Sequence, residues 1–559
     1  MGGELEARLV RRLIAAAALA LGAVQPALAK DDLVIGISSF PSMMHPYINP
    51  EVVKSYSLGF ALRPVTALDA AWHGECILCA ELPTQTNGMV KFETRADGTQ
   101  GLAVTVKMRP DQKWGDGTAV TTADLAFTAK VGHDPLSGFT NNQTWQGVDS
   151  VDVVDATTAV LHFTTVNVLF NRIPTLLPEH IERPIYERAG DAAEYIKATV
   201  YNRAPTTPGL YDGPYMITTY QSGAQIVLEP NPYWAGKKPG FKRIVVRTIE
   251  NTASLQANLL SGDVDMTPGE GIGLTLDQVL TMRKQQPDRF NYLFRDSTAY
   301  LHLDTQLDNP MLADVRVRRA LLMALDRKTM SDKLVDGLWT LADAWIAPQD
   351  TVYARGLPHY AYDPAGARAL FKEAGWTPGE DGILRDAKGE RFSIELRGTT
   401  GIRLNELFQA VAQQQLKAVG VEVMIKNEQP RAFFGETLKH RQFTGLAYYS
   451  WLFTPSYPAR QILGLDQIPT AENNWGGSNY MDWKNPTVEA ALKVTETELD
   501  PEKAQVAWDT MQRAYAEELP VLPLFFRPEA HVIPKWLKGY VPTVHTNYAT
   551  LHGEDWHSE

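Results

Sequence analysis

The sequence predicts an α/β protein of two or three domains. Apolar residues alternate in short runs and recur at i, i+3, i+4 and i+7 in longer ones, and the two patterns follow each other along the chain. About 530 residues remain after an N-terminal export segment is set aside, which is more than one core usually supports. Hydrophobic residues make up 44% and charged residues 21%, so a globular fold is expected throughout.

The first residues are organised like a secretory signal peptide. Three arginines precede an apolar run over residues 13–24, and the triplet Ala27-Leu28-Ala29 follows. The run is too short for a membrane helix, which needs roughly 20 apolar residues. We expect cleavage of residues 1–29 and a mature chain that begins at Lys30, without a cysteine there to carry a lipid anchor. The exported product is expected in a bacterial periplasm.

Charge and motifs exclude several classes of function. A net charge of -12 argues against nucleic acid and against an anionic membrane surface, because both attract basic patches. The chain has no His-Glu-x-x-His, Gly-x-Ser-x-Gly, P-loop or Gly-x-Gly-x-x-Gly motif. We therefore expect neither an enzyme nor a bound cofactor.

The two cysteines, Cys76 and Cys79, are spaced C-x-x-C. In an oxidising compartment this spacing favours a local disulfide that braces one turn. Three alternatives remain open at this point: a metal site completed by His73, a thioredoxin-like redox pair, and free thiols.

Elements in the first half of the chain are predicted by periodicity and capping. Thr121 is a helix N-cap with Asp124 three residues later. A second helix carries Leu255 and Leu259 and ends at Gly262. Apolar alternation or continuous apolar runs predict strands at residues 33–37, 102–108, 226–228 and 243–248.

The second half contains clearer helices and a parallel pair of strands. Asp314 opens an amphipathic helix, and Asp363 opens another that Gly375 closes. A strand–helix–strand unit follows, with strands at 392–396 and 421–425, and its strands should be parallel. Ligands of such sheets gather beyond the carboxyl ends of the strands.

Eight sequence segments, in order, resemble one known family. They are Lys113 to Asp124, Gly213-Pro214-Tyr215, Asn231 to Pro239, Leu259 to Asp265, Asp314 to Arg327, Tyr362 to Gly375, Gln415 to Val421 and Leu519 to Pro523. Each segment alone is a weak signal, but together they extend over most of the mature chain. The chain thus resembles the family-5 extracytoplasmic solute-binding proteins of ABC importers, the peptide/opine/nickel group.

The resemblance implies a two-lobed periplasmic binding protein clamp, class II-like, with an extra domain inserted in the first lobe. Lobe 1 is expected to use residues 30–75, 205–290 and 516–559. The extra domain is expected at 76–204 and lobe 2 at 291–515. Such a clamp encloses its ligand between the lobes and docks on permease subunits in the inner membrane.

The resemblance also indicates where a ligand lies. In this family the stretch that matches residues 446–458 enters the cleft, and Trp451 matches a tryptophan that lines the pocket. Tyr449 and Phe453 flank it here. Peptide-binding members follow the tryptophan with an aspartate for the peptide's amino end, but none stands between Trp451 and Pro458. A buried ammonium without a counter-charge costs several kcal/mol, so dipeptide-style recognition is put in question.

Six further residues are predicted to contact the ligand. Two arginines around the strand-to-helix loop suit a ligand carboxylate, because a guanidinium binds it with two hydrogen bonds. The others are aromatic side chains of the loop after the first strand and of the cleft mouth. The six residues are Arg397, Arg403, Phe40, His45, Trp475 and Tyr480.

These observations together predict a monomeric binding protein for an organic solute, peptide or peptide-like. Capture of a metal or metal complex, as in the nickel-binding relatives, is the main alternative, with Met43 and His45 or the His73–Cys79 segment as ligands. Enzymatic activity and a sensing or chaperone role are the others.

Overall fold

A computed structural model describes residues 30–140, 143–269, 271–544 and 549–559. The predicted signal peptide, residues 1–29, lies outside the described residues. In the part of the chain that is described, no helix has both the length and the apolar character that crossing a membrane requires.

Short strands dominate the architecture. Those in the described ranges are β1 (Asp32–Ile37), β2 (Thr66–Leu68), β3 (Gly74–Cys76), β4 (Val90–Thr94), β5 (Gln100–Lys107), β6 (Val148–Val153), β7 (Thr158–Phe163), β8 (Tyr215–Gln221), β9 (Gln225–Pro230), β10 (Arg243–Thr248), β11 (Phe290–Thr305), β12 (Thr340–Leu341), β13 (Thr377–Pro378), β14 (Leu384–Arg385), β15 (Ser393–Thr399), β16 (Glu422–Glu428), β17 (Leu446–Leu452), β18 (Val521–Pro534), β19 (Leu537–Lys538) and β20 (His557–Ser558).

Helices lie between the strands and cover the sheets. Those described are α1 (Val52–Leu58), α2 (Thr122–His133), α3 (Gln143–Gln146), α4 (Glu179–Tyr186), α5 (Ala192–Ala198), α6 (Val200–Arg203), α7 (Thr252–Ser261), α8 (Leu276–Gln285), α9 (Pro310–Ala313), α10 (Val315–Met323), α11 (Arg327–Val335), α12 (Pro364–Glu373), α13 (Arg403–Ala418), α14 (Pro430–Ala432), α15 (Arg460–Leu463), α16 (Pro486–Thr497) and α17 (Pro501–Glu518). A π-helical turn, Phe433–Leu438, follows α14.

Three sheets organise the molecule. Lobe 1 is built on the order β1-β10-β9-β8, in which β1 and β10 are parallel. The extra domain has the antiparallel sheet β4-β5-β7-β6. Lobe 2 has the six-stranded sheet β12-β18-β11-β17-β15-β16, in which β15 is parallel to both β16 and β17. The predicted residue boundaries of the three domains stay predictions.

The long strands β11 and β18 run side by side from one lobe into the other. Their pairing extends from Phe290 opposite Pro534 to Asp304 opposite Val521. Its register shifts twice, between Leu301 and His302 and at a bulge between Asp296 and Ala299. At this bulge the Ser297 hydroxyl donates to the Arg527 carbonyl at 2.8 Å. A bulge between the lobes leaves the two strands continuous while it relaxes their register.

The capping signals read from the sequence are confirmed. Thr121 and Asp124 form a reciprocal capping box on α2. Asp314 and Asp363 cap α10 and α12 through their side chains. Gly262 ends α7 with a φ of 90°, a left-handed conformation that glycine adopts without strain.

The cysteine pair is a disulfide between Cys76 and Cys79, as predicted. It joins the last residue of β3 to the segment that follows the β2–β3 hairpin, and the connection between these two strands carries Trp72. Trp72 is buried, and its indole nitrogen donates to the Thr543 carbonyl at 3.2 Å. Within the described ranges no three His, Cys, Asp or Glu side chains cluster as metal ligands would.

Candidate functional site

Strand β17 carries two of the predicted aromatic residues, Tyr449 and Trp451. It lies between β11 and β15 in the lobe 2 sheet, and its buried first half leads to an exposed end at Leu452. Side chains alternate between the faces, so Tyr448 stacks on Phe408 in the core. Tyr449 and Trp451 lie on the opposite face.

Tyr449 is a buried structural residue in this conformation. Its hydroxyl donates to Asp304 Oδ2 at 2.5 Å, and its ring contacts His302 and Phe433. Burial, together with the Asp304 carboxylate, raises the pKa of Tyr449 well above its ordinary value. Tyr449 thus supports the Trp451 side chain, whose ring centroid is 5.8 Å away.

Trp451 and Tyr480 form a partly exposed aromatic pair. Their ring centroids are 6.4 Å apart and their planes are within 13° of parallel. Phe453 packs on Tyr300 beside them. Trp475 instead contacts His440, with 4.9 Å between the ring centroids. These rings make a partly apolar surface, and none of them belongs to the lining of the two cavities described below.

The first cavity, here called the Arg403 cavity, has a volume of about 520 Å³ and is formed by both lobes. Lobe 1 contributes the starts of α7 and α8, and lobe 2 contributes the start of α13. The crossing strand β18 contributes Arg527 and Glu529. Other lining residues are Thr252, Gly269, Gly271, Gly273, Leu274, Thr275, Leu276, Asp277, Gln278, Leu301, Trp339, Gly401, Ile402, Leu404, Asn405, Pro528 and Ala530.

The three helix starts at this cavity differ in their capping. Asn251 caps α7, and Thr275 with Gln278 forms a capping box on α8. Helix α13 begins after Ile402, which offers no side-chain hydrogen bond. The backbone N–H groups of Arg403 and Leu404 accordingly have no acceptor among the described residues. Free helix N–H groups beside a guanidinium suit an anionic group.

Glu529 is a lining residue of this cavity whose carboxyl changes its protonation near neutral pH. Its Oε2 is buried without a hydrogen-bond partner among the residues described. Burial raises the pKa of Glu529 to about 7, although Arg527 acts in the opposite direction. Near pH 7 the Glu529 carboxyl is therefore only about half ionised, and Asp277 is the other acidic residue in the lining.

The second cavity, here called the Arg172 cavity, has a volume of about 410 Å³ and also spans the cleft. Lobe 2 contributes Thr454 and Tyr457, the residues just beyond the aromatic stretch. The remaining lining residues come from lobe 1, the extra domain and the C-terminal segment: Pro46, Tyr47, Ser55, Leu58, Gly59, Leu62, Pro64, Thr66, Ala67, Leu68, Thr144, Asn167, Leu169, Arg172, Pro174, Thr175 and Leu551.

Arg397 is occupied by neighbouring carboxylates and does not line either cavity. Its Nε donates to Glu395 at 2.9 Å and its Nη1 to Glu428 at 2.5 Å. Burial raises the pKa of Glu395, but hydrogen bonds from Arg397, Thr444 and Lys426 outweigh it and bring the pKa to about 2. Through these ion pairs Arg397 connects β15 with β16. Of the two predicted arginines, only Arg403 lines one of the two cavities.

Phe40 packs inside lobe 1, and His45 packs against residues of the predicted extra domain. Phe40 lies 5.2 Å from the Tyr220 ring, measured between centroids. His45 is completely buried; its Nδ1 accepts from the Tyr47 backbone and its Nε2 contacts the Tyr195 hydroxyl. Burial holds the pKa of His45 well below its ordinary value. Neither side chain reaches the cavities in this conformation.

Sequence reasoning missed Arg172, Thr454, Arg527 and Glu529. No motif marks them, since each becomes a lining residue only when segments far apart in sequence meet. Thr454 could have been predicted, because it directly follows the predicted aromatic stretch.

Comparisons with known proteins agree with this architecture. The family model for bacterial extracellular solute-binding proteins, family 5 middle, matches residues 91–463. The oligopeptide-binding protein AppA of Bacillus subtilis (strain 168) is 25% identical over 456 residues, covering 79% of this chain and 78% of that protein. The crystal structure of the oligopeptide binding protein from Thermus thermophilus, complexed with pentapeptide, is 28% identical, with a TM-score of 0.69 and coverage of 95% and 96%. NikZ from Campylobacter jejuni in complex with Ni(L-His) is 18% identical and shares the fold, with a TM-score of 0.71 and coverage of 95% and 100%.

Proposed function

Because this chain belongs to the bacterial extracellular solute-binding proteins of family 5, we propose that it captures a peptide or peptide-like solute between its lobes and delivers it to the permease of an ABC importer. The observation that carries the proposal is the Arg403 cavity, to which both lobes contribute. A void of about 520 Å³ is in the usual range for a small organic ligand. Two relatives named for oligopeptides, at 25% and 28% identity, favour a peptide over other solutes.

Arg403 is the proposed carboxylate anchor. It stands at the first position of α13, so its guanidinium and the free N–H groups of the helix start act together. A carboxylate there gains charge-assisted hydrogen bonds and the favourable field of the helix dipole. Trp451 stands three residues before Thr454 of the Arg172 cavity, and the Trp451–Tyr480 pair is the proposed apolar wall for side chains of the solute.

The proposal includes localisation and partners. We propose that the mature chain works in the periplasm as a monomer without a lipid anchor, and that it performs no chemistry on its ligand. Both cavities have lining residues from both lobes, so closure of the lobes would complete them. The permease would recognise the surface of this closed form.

The proposal is tested by titration calorimetry of the purified mature protein with pools of random-sequence tripeptides. We expect binding to a pool with free carboxyl ends and at least tenfold weaker binding to the same pool with amidated ends. Arg403→Gln should remove this difference, whereas Arg368→Gln, an exposed arginine on α12, should keep it. No heat with either pool would refute the peptide proposal.

Metal analysis separates the proposal from the metal-complex alternative. The protein is purified without chelators, and its metal content is measured together with native mass spectrometry of any co-purified solute. A metal-free protein that carries an organic mass supports the peptide-like ligand. Stoichiometric metal would favour the alternative instead.

A further inference from the structure

Arg172 is a half-buried cation with few compensating groups among the described residues. It belongs to the extra domain, and its Nη2 donates to the Pro455 carbonyl of lobe 2 at 2.5 Å. No carboxylate of the described chain lies within ion-pair distance of it. Burial lowers the pKa of Arg172, which Asp350 and Tyr457 only partly offset. A guanidinium at the edge of a cavity with unused N–H donors suits an anionic group from outside the protein.

The buried arginines, by contrast, are each held by several protein acceptors. Arg63 pairs with Glu554 at 2.7 Å and donates to two carbonyls. Arg318 donates to four backbone carbonyls, and Arg327 donates to three. Arg172 has one acceptor among the residues that the structure describes, and its remaining N–H groups are left for the contents of the cavity.

The lining of the Arg172 cavity offers donors and no carboxylate. Arg172 is the one charged residue in that lining. Asn167 uses its Oδ1 to accept from the Leu169 backbone at 2.9 Å, which leaves its Nδ2 to donate. The hydroxyl of Thr454 adds a third donor on the lobe 2 side.

Asp350, the carboxylate whose charge reaches Arg172, is engaged elsewhere. Its oxygens accept from the Ser456 backbone at 2.8 Å, from the Ser456 hydroxyl at 2.7 Å and from the Val352 backbone at 3.2 Å. It stabilises the turn that presents Thr454 and Tyr457. It is therefore not free to neutralise a ligand cation.

We infer that the Arg172 cavity receives an anionic group, a carboxylate held by Arg172, Asn167 and Thr454. The solute is then an organic anion whose end in this cavity is acidic, and a peptide with a free ammonium there is rejected. This inference rests on the proposed function and narrows its ligand class. Because Arg172 and Thr454 stand on different lobes, the same anionic group would also hold the lobes together.

The test uses three pools of random-sequence tripeptides that differ only at the amino end, which is free, acetylated or succinylated. Titration calorimetry with the wild-type protein should give at least tenfold tighter binding of the succinylated pool than of the free pool. The acetylated pool should bind at least fivefold more weakly than the succinylated pool, because it has the same acyl carbonyl and lacks the carboxylate.

Variants assign the preference to one side chain. Arg172→Gln should bring the succinylated and acetylated pools within twofold of each other. Arg188→Gln, an exposed arginine of the same domain, should leave the preference unchanged. Thermal melting of each variant checks that it is folded, and the wild-type comparison stands without the variants.

The outcomes separate the inference from the proposed function. Binding of the free pool as tight as that of the succinylated pool, or equal binding of the acetylated and succinylated pools, overturns the inference and leaves the peptide proposal standing. Absence of binding by all three pools overturns both.

Discussion

Trp451 is held from behind by a buried tyrosine and stacked from the side by a partly exposed one. Tyr449 is fixed by Asp304, and Tyr480 lies nearly parallel to the indole. An aromatic pair with one accessible face can take an apolar group of a ligand without rearranging. Trp451 therefore combines a supported position with an available surface.

Replacement of this tryptophan is expected to weaken binding without unfolding the protein. Trp451→Ala should raise the Kd for the best tripeptide pool at least tenfold, about 1.4 kcal/mol, because the stacking surface is lost. Calorimetry measures the Kd, and circular dichroism follows the melting temperature. Trp234→Ala, outside the cleft, is the matched control. An unchanged Kd for Trp451→Ala would remove this residue from the proposed site.

Single residues also show which roles cannot be predicted from the sequence. Arg397 and Arg403 are equally plausible anchors on paper, yet the parallel pairing of β15 with β16 sets Glu428 beside Arg397. Arg172 has no signal at all, because its lobe 2 acceptor, Pro455, is 283 residues away. Roles that depend on contacts between distant segments are determined by the tertiary structure.

Among whole elements, α13 has an unusual start. Its N-cap position is Ile402, which is 45% exposed, whereas the neighbouring helix starts at the same cavity are capped by polar side chains. Polar caps typically stabilise a helix by about 1 kcal/mol. The missing cap leaves donors available at the place where a carboxylate is proposed to bind.

Introducing a capping side chain at position 402 should therefore raise the stability of the protein and lower its affinity for the ligand. Ile402→Ser and Ile402→Asp are both expected to stabilise the protein by roughly 0.5–1 kcal/mol in urea unfolding. Only Ile402→Asp adds a negative charge beside Arg403, so it should weaken binding of the free-carboxyl tripeptide pool more than Ile402→Ser does. Equal or tighter binding by Ile402→Asp would contradict the proposed carboxylate position.

Elements with local signals were the predictable part of the fold. The helices opened by Thr121, Asp314 and Asp363 and the parallel β15–β16 pair follow from capping and periodicity within a few turns of chain. The connecting strands β11 and β18 were not predicted, since their pairing joins segments more than 200 residues apart. Both cavities depend on these strands or on contacts between lobes, so the site was only partly accessible from sequence.

In the molecule as a whole, strand β18 affects both stability and the proposed ligand site. This strand joins the lobes and carries Glu529, whose pKa is raised to about 7 by burial. In the unfolded chain the pKa of a glutamate is about 4.3, so the carboxyl ionises at lower pH there than in the folded protein. Between these two pH values the unfolded state releases a proton that the folded state retains, and the folded protein loses relative stability as the pH rises.

The contribution of Glu529 should consequently be small below about pH 4.3 and unfavourable by roughly 3 kcal/mol above pH 7. Glu529→Gln cannot ionise, so its advantage over wild type in urea unfolding should grow between about pH 4.5 and pH 8. Asp124 and Asp212, whose pKa values burial also raises, act equally in both proteins and cancel in the difference. Glu406→Gln, an exposed glutamate on α13, serves as control. A constant difference between Glu529→Gln and wild type across this range would show that Glu529 ionises normally, and the connecting strand would then carry a full negative charge into the cleft.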